Sequence, residues 1–185
     1  MKKIAVIYKS KYGFTKTYAQ WISDELKADL LEADKTKPAA LQEYDVIVYG
    51  GGLYAGGVSG ISLITKNFAS INSKAIFLFT VGAADVADRQ NTDSIRKSLA
   101  RVLTPEMQEK IKIYHLRGGM DYANMSFMHR TMMGMMMKML HKKSESELTS
   151  EEKSMIETYG QKVDFTDRST ITPLVQAIKA ATEAH

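Results

Sequence analysis

The sequence predicts a doubly wound α/β domain, and three observations lead there. Short apolar runs rich in β-branched and aromatic residues recur along the chain, as expected of strands buried on both faces. Between them lie segments whose apolar residues repeat near every 3.6 positions, the spacing of helices that cover a sheet. The composition is that of a globular domain, 44% apolar and 25% charged over 185 residues. Strands alternating with helices, and apolar on both sides, imply a parallel sheet covered on both faces.

The elements follow in order. Lys3 to Tyr8 is the first strand, and Phe14 to Lys27 is a helix with Tyr18, Trp21, Ile22 and Leu26 on one side. Asp29 to Ala33 is a short second strand and Asp45 to Gly50 a third. A glycine-rich loop from Gly50 to Gly60 precedes a helix near Ile61–Phe68. Ala75 to Thr80 is the fourth strand, Val81 to Gln90 a loop, and Thr92 to Leu103 a helix with Asp93 in its first turn. Ile111 to Leu116 is the fifth strand. Thr172 before Pro173 reads as the N-cap of a last helix with proline at its first position. No repeat or linker interrupts the chain, so a single domain over 1–185 is expected, with 118–162 as a helical insertion after the fifth strand.

Charge and methionine are unevenly distributed. The net charge is +4, from 25 Lys/Arg and 21 Asp/Glu. Seven of the basic residues and only one Asp fall between Lys110 and Lys143, a local balance of +6, so the rest of the chain carries −2. Nine of the twelve methionines lie between Met120 and Met139. The absence of cysteine excludes disulfides, thiolate metal sites and a cysteine nucleophile, and fits a reducing compartment. The apolar run at the N-terminus is too short for a signal peptide, and no window is long enough to span a bilayer. A cytoplasmic location is expected, with peripheral contact at the inner membrane face as an extension. The basic segment interleaves methionine rather than aromatic residues, so nucleic acid is not an expected partner.

Open parallel sheets bind ligands beyond the carboxyl ends of their strands, and three loops leave such ends. Ser10-Lys11-Tyr12-Gly13-Phe14-Thr15-Lys16-Thr17 joins the first strand to a helix and holds three Ser/Thr hydroxyls and a glycine. Backbone N–H groups at the helix start, with these hydroxyls, make an anion site suited to a phosphate. An ordinary N-cap by Ser10 or Thr15 is the competing reading. In the second loop the glycines admit a flat ligand close to the backbone, beside Leu53, Tyr54, Ala55 and Gly56, with Tyr54 as a stacking ring. A tight turn with Tyr54 half-buried is the alternative there. The third loop, Thr80 to Asp85, has small residues that leave room for a second wall.

These residues resemble the flavodoxin family. Ser10 to Thr15 is similar to its phosphate loop, [ST]-x-x-G-x-T, and the other two loops fall where that family encloses the isoalloxazine ring. The resemblance implies FMN as cofactor and a five-stranded sheet of order 2-1-3-4-5. It implies Ser10, Lys11, Tyr12, Gly13, Phe14, Thr15 and Thr17 at the phosphate, and Leu53, Tyr54, Ala55, Gly56, Val81, Gly82 and Ala83 at the ring. His115 to Tyr122, leading into the basic Met-rich helix, and Val163 to Asp167 are similar to the flavodoxin-type, menaquinone-dependent protoporphyrinogen oxidases. Thr149 to Gly160, with the capping-box spacing Thr149…Glu152, departs from that pattern as an addition.

On a helical wheel Met125, Met128, Met132, Met135, Met136 and Met139 span about 100°, and Met133, Met137 and Leu140 widen the arc to roughly 200°. Such a helix suits an anionic bilayer interface, the wall of an apolar pocket for a quinone or porphyrin, or packing on the sheet edge or across a dimer. His129 and His141 fall on roughly opposite faces, so no metal pair is expected. The expected function is an FMN-dependent oxidoreductase moving electrons between a reduced donor and a quinone-like or porphyrinogen-like partner. A small electron carrier docking on a redox protein and a non-catalytic interaction module are the alternatives. The flavin carries the chemistry in this reading, and no side chain is assigned as catalytic.

Overall fold

A computed structural model describes residues 2–54 and 57–183. Its first strand, β1 (Ile4–Lys9), runs into α1 (Phe14–Leu26) and β2 (Asp29–Glu32). Short 3-10 turns at Ala33–Lys35 and Pro38–Glu43 lead to β3 (Val46–Tyr54), β4 (Gly57–Val58) and two single-turn helices, α2 (Ser62–Thr65) and α3 (Phe68–Ile71). Then come β5 (Ala75–Gly82), α4 (Arg89–Leu99), α5 (Pro105–Lys110) and β6 (Ile111–Arg117). The parallel strands lie in the order β2-β1-β3-β5-β6, while β4 folds back antiparallel on β3. This is the order implied by the resemblance, with the small β4 added to the count.

Alternation along the strands divides the core. Ala5, Ile7, Ile47, Tyr49, Ile76 and Leu78 face one cluster with Ile64, Phe68, Leu99 and Met107. Val6, Tyr8, Val48, Phe77 and Phe79 face the other with Tyr18, Ile22, Leu174 and Ile178. Both faces of every central strand are therefore buried, which is why the strands read as continuous apolar runs.

The remaining chain forms the insertion and the last helix. β7 (Gly119–Asp121) pairs antiparallel with β8 (Lys162–Asp164), matching Gly119 with Asp164 and Met120 with Val163. Phe165 N–H donates to the Gly118 carbonyl at 2.9 Å, so the chain leaves and rejoins the sheet through one narrow ribbon. Between its strands lie α6 (Phe127–Leu140), a 3-10 turn at Glu145–Glu147, and α7 (Ser150–Glu157). A 3-10 turn at Arg168–Ile171 then leads into α8 (Thr172–Glu183). Neither core cluster contains a residue between Leu116 and Ile171.

Several boundaries differ from the sequence reading for identifiable reasons. Gly50, Gly51 and Gly52 are strand, not loop; a Cβ at Gly50 would overlap the ring of Phe79, so this glycine serves close packing inside the sheet. The helix expected near Ile61–Phe68 is broken in two where Asn67 Nδ2 donates to the Leu63 carbonyl at 2.8 Å. The helix after β5 starts at Arg89 because Asp88 caps it, accepting from Gln90 N–H at 2.9 Å, which puts Asp93 beyond the first turn. Thr172 is helical rather than an N-cap; Asp167 accepts from Ser169 N–H and opens the preceding 3-10 turn instead. The same Thr-Pro signal does cap a helix at Thr104-Pro105, where Thr104 Oγ1 accepts from Met107 N–H and starts the unforeseen α5. The Thr149…Glu152 capping box is formed in both directions at the start of α7.

Candidate functional site

The loop between β1 and α1 turns at Gly13, whose φ of +96° is a conformation that side chains with a Cβ rarely adopt. Its N–H donates to Ser10 Oγ at 3.1 Å, while its carbonyl accepts from Thr17 N–H at 2.9 Å and Thr17 Oγ1 at 3.3 Å. Ser10 is thus spent on the turn, and no side chain caps α1. The ordinary N-cap reading does not describe this helix start. Its first-turn N–H groups have no intrahelical acceptor, and they meet the buried Thr15, only 2% exposed, at the positive end of the helix dipole. This is the chemistry of an anion cradle.

Beside it opens a cleft of about 430 Å³, in the size range of small-molecule sites. Tyr12, Phe14 and Thr15 line it from the first loop, Leu53 and Tyr54 from the end of β3, and Val81, Gly82 and Ala83 from the end of β5. Three separate strand ends thereby converge on one space. Ser10, Lys11, Gly13 and Thr17 lie in the adjoining turn and first helical turn rather than on the cleft wall. Ala55 and Gly56 lie outside the described residues. Burial pushes the Tyr54 hydroxyl up to about 12, with the neighbouring Tyr12 adding to the shift, so the Tyr54 ring is neutral at ordinary pH.

The insertion closes over this cleft. Ser126 caps α6, accepting from His129 N–H, and fixes where His129 points. His129 Nδ1 lies 2.6 Å from Tyr12 Oη, and its ring stacks on Tyr54 at 5.7 Å and 26°. Met132, Met133 and Met136 line the cleft from the same helix, Met125 from the turn just before it, and Glu151 and Met155 from α7. The expected stacking face of Tyr54 is therefore partly taken by a histidine weighed in the sequence only as a metal ligand. The signal was present: Met125, His129, Met132, Met133 and Met136 repeat at helical spacing, and Ser126 marks the start. Asn91, Ser94, Ile95 and Ser98 of α4 complete the wall and carried no motif.

The apolar arc of α6 is also turned from the expected centre. Met137 and Leu140 are buried, and Met133 and Met136 half-buried, whereas Met128 is 66% exposed, Met135 56% and Met139 67%. An arc of about 200° is too wide for one neighbour to cover, and the insertion covers only one half. The other half faces solvent with Phe127, which is 86% exposed.

The family model described as the flavodoxin domain matches residues 5–147. The chain belongs to the flavodoxin domain family. Among curated proteins, an uncharacterized protein of Methanocaldococcus jannaschii is 34% identical over 82 residues. That match covers 43% of this flavodoxin-like chain and 55% of the relative, so the chain spans little more than half of the relative's length. Among solved structures, a flavodoxin, WrbA-like protein from Agrobacterium tumefaciens is 22% identical, covering 58% of this chain and 85% of that one, with a TM-score of 0.41. Oxidised flavodoxin 1 from Bacillus cereus is 18% identical, covering 62% and 84%, with a TM-score of 0.41.

The cofactor of this flavodoxin-like protein is FMN. The residues present fit it: an uncapped helix start behind a positive-φ glycine suits a phosphate, and a mainly apolar cleft at the strand ends suits a flat ring. Among the described residues no helix is long and apolar enough to cross a membrane.

Proposed function

We propose that this flavodoxin-like protein is an oxidoreductase that passes electrons from a reduced donor to a small quinone-like or porphyrinogen-like acceptor held under the insertion. In this reading Ser10, Lys11, Tyr12, Gly13, Phe14, Thr15 and Thr17 form the phosphate end of the site. Leu53, Tyr54, Val81, Gly82 and Ala83 flank the ring, with Ala55 and Gly56 completing the set. FMN supplies the redox chemistry when bound. The chain's own residues bind and orient it and exclude water from the ring edge. One observation carries the preference for a small acceptor over a docking protein. The ring-side cleft is walled by Met125, Met132, Met133, Met136 and Met155, an adaptable apolar lining suited to a small ring. The resemblance of the insertion to the protoporphyrinogen oxidases supports the same reading.

The test compares acceptors. Holoprotein reduced anaerobically should be reoxidised by menadione at least about tenfold faster than by an equal concentration of oxidised cytochrome c, followed at the flavin absorbance. The reverse preference would favour the simple carrier. A preparation with no flavin colour would leave only the interaction module.

The exposed half of α6 supports a second element, contact with an anionic membrane surface. Phe127, Met128, Met132, Met135 and Met139 stand exposed, with the exposed basic residues Arg130, Lys138, Lys142 and Lys143 alongside, the combination that suits an interfacial helix. Met135→Glu should reduce cosedimentation with phosphatidylglycerol vesicles several-fold while leaving flavin content unchanged. Equal cosedimentation of the two proteins would remove this element.

A further inference from the structure

We propose that a smaller chamber beneath the insertion is a second ligand site, for an uncharged ring bearing a carbonyl oxygen that meets the Glu151 carboxyl on its wall. The proposal rests on the small-acceptor reading above and gives it a residue and a place. The chamber holds about 240 Å³ and lies between α4, α7 and the β7–β8 ribbon. It shares Ala83, Ala84, Asn91, Met120, Glu151 and Met155 with the larger cleft, so the two spaces adjoin along one wall. A ligand there would stand against whatever occupies the cleft without displacing it.

Most of the chamber's polar side chains are already paired; among the described residues the Ser154 hydroxyl and the Glu151 carboxyl are not. Arg117 pairs with Asp85 at 3.3 Å, donates to the Ala83 carbonyl, and lies 4.0 Å from the Phe165 ring centroid. Asp85 also accepts from Ala87 N–H. Asp88 accepts from Ser150 Oγ at 2.6 Å and from Gln90 N–H. Asn91 donates its amide to the Asp85 carbonyl. Glu151, half-buried on the shared wall, has no hydrogen bond or ion pair among the described residues. Glu151 is only half-buried, so its carboxyl stays open to an incoming group beside Met120, Met155, Val163 and Phe165.

The surroundings select the form of the group and the charge of the ligand. Burial pushes the Glu151 carboxyl above the usual range, and the negative charges of Glu152 and Asp88 push the same way. Its seat in the first turn of α7 favours the carboxylate and opposes this only weakly. The other titratable or charged groups facing the space are Arg117 and Asp85, already paired, and His129 across the adjoining cleft. An anion would meet the negative charge of Asp88, and a cation would lose its water among methionine and phenylalanine. An uncharged carbonyl oxygen asks only for a donor, which a protonated carboxyl supplies.

The experiment is calorimetric titration of oxidised FMN-loaded protein with menadione at pH 5.5 and pH 8. The wild type should bind several-fold more tightly at pH 5.5. Glu151→Gln keeps a donor that does not titrate, so it should bind with equal affinity at both pH values. Glu151→Ala should bind about tenfold more weakly than wild type at pH 5.5, each protein being loaded to full FMN occupancy before the titration. Affinity that is flat with pH, tighter at pH 8, or equally sloped in Glu151→Gln would overturn the site. If reduced protein is still reoxidised by menadione in that case, the small-acceptor reading survives without this chamber; no reoxidation would end both.

Discussion

Thr15→Glu should give a folded protein that retains no FMN. Thr15 sits in the first turn of α1, buried where the helix N–H groups converge and no side chain caps them. A carboxylate there takes the place proposed for the phosphate. Two like charges about 4 Å apart repel by about 4 kcal/mol at an effective dielectric near 20, close to a thousandfold in affinity. A negative charge in the first turn is favourable to the helix by about 0.3–1 kcal/mol, which offsets part of the cost of a longer side chain at this buried position. Flavin content is read from absorbance after gel filtration, and folding from circular dichroism. Thr15→Val separates charge from hydroxyl, and should weaken FMN by only about tenfold, the size of one lost hydrogen bond to a charged group. Wild-type flavin content in Thr15→Glu would move the phosphate away from this loop.

Removing the insertion should leave a folded, yellow protein. Gly118 and Phe165 are already joined by a hydrogen bond, so residues 119–164 can be replaced by a two-residue Asn-Gly turn. Neither core cluster loses a member. The sheet and its covering helices keep their packing, and Tm should stay within a few degrees of the parent. FMN should bind more weakly but measurably, because the turn at Gly13 and the ends of β3 and β5 remain while His129 and the methionine wall are gone. Collapse of the fold would mean that the insertion supports the sheet rather than covering the site.

The sheet and the base of the site were legible in the sequence, and the cover was not. Both have a physical reason. β1, β3 and β5 are buried on both faces, so burial writes an unbroken apolar run that needs no knowledge of partners. The Ser10–Thr17 loop is local, with its turn and hydroxyls within eight positions. By contrast, His129 and Glu151 reach the cleft from separate helices of the insertion, and only tertiary packing brings them there. The wheel of α6 located the apolar arc but could not choose which half would be covered, since methionines at 128 and 137 look alike until a neighbour packs on one. The two Thr-Pro pairs make the same point at smaller scale. Thr104 caps α5, while Thr172 is already helical behind the turn that Asp167 opens.

The central claim is that the insertion turns an FMN site into one that holds a small acceptor. Stopped-flow reoxidation of the reduced protein by menadione tests it most directly, with the full chain and the chain lacking residues 119–164 compared over a range of menadione concentration. The full chain should show a rate that saturates, because the acceptor binds before it is reduced. The shortened chain should show a rate that rises linearly without saturation. Identical curves for the two proteins would contradict the account.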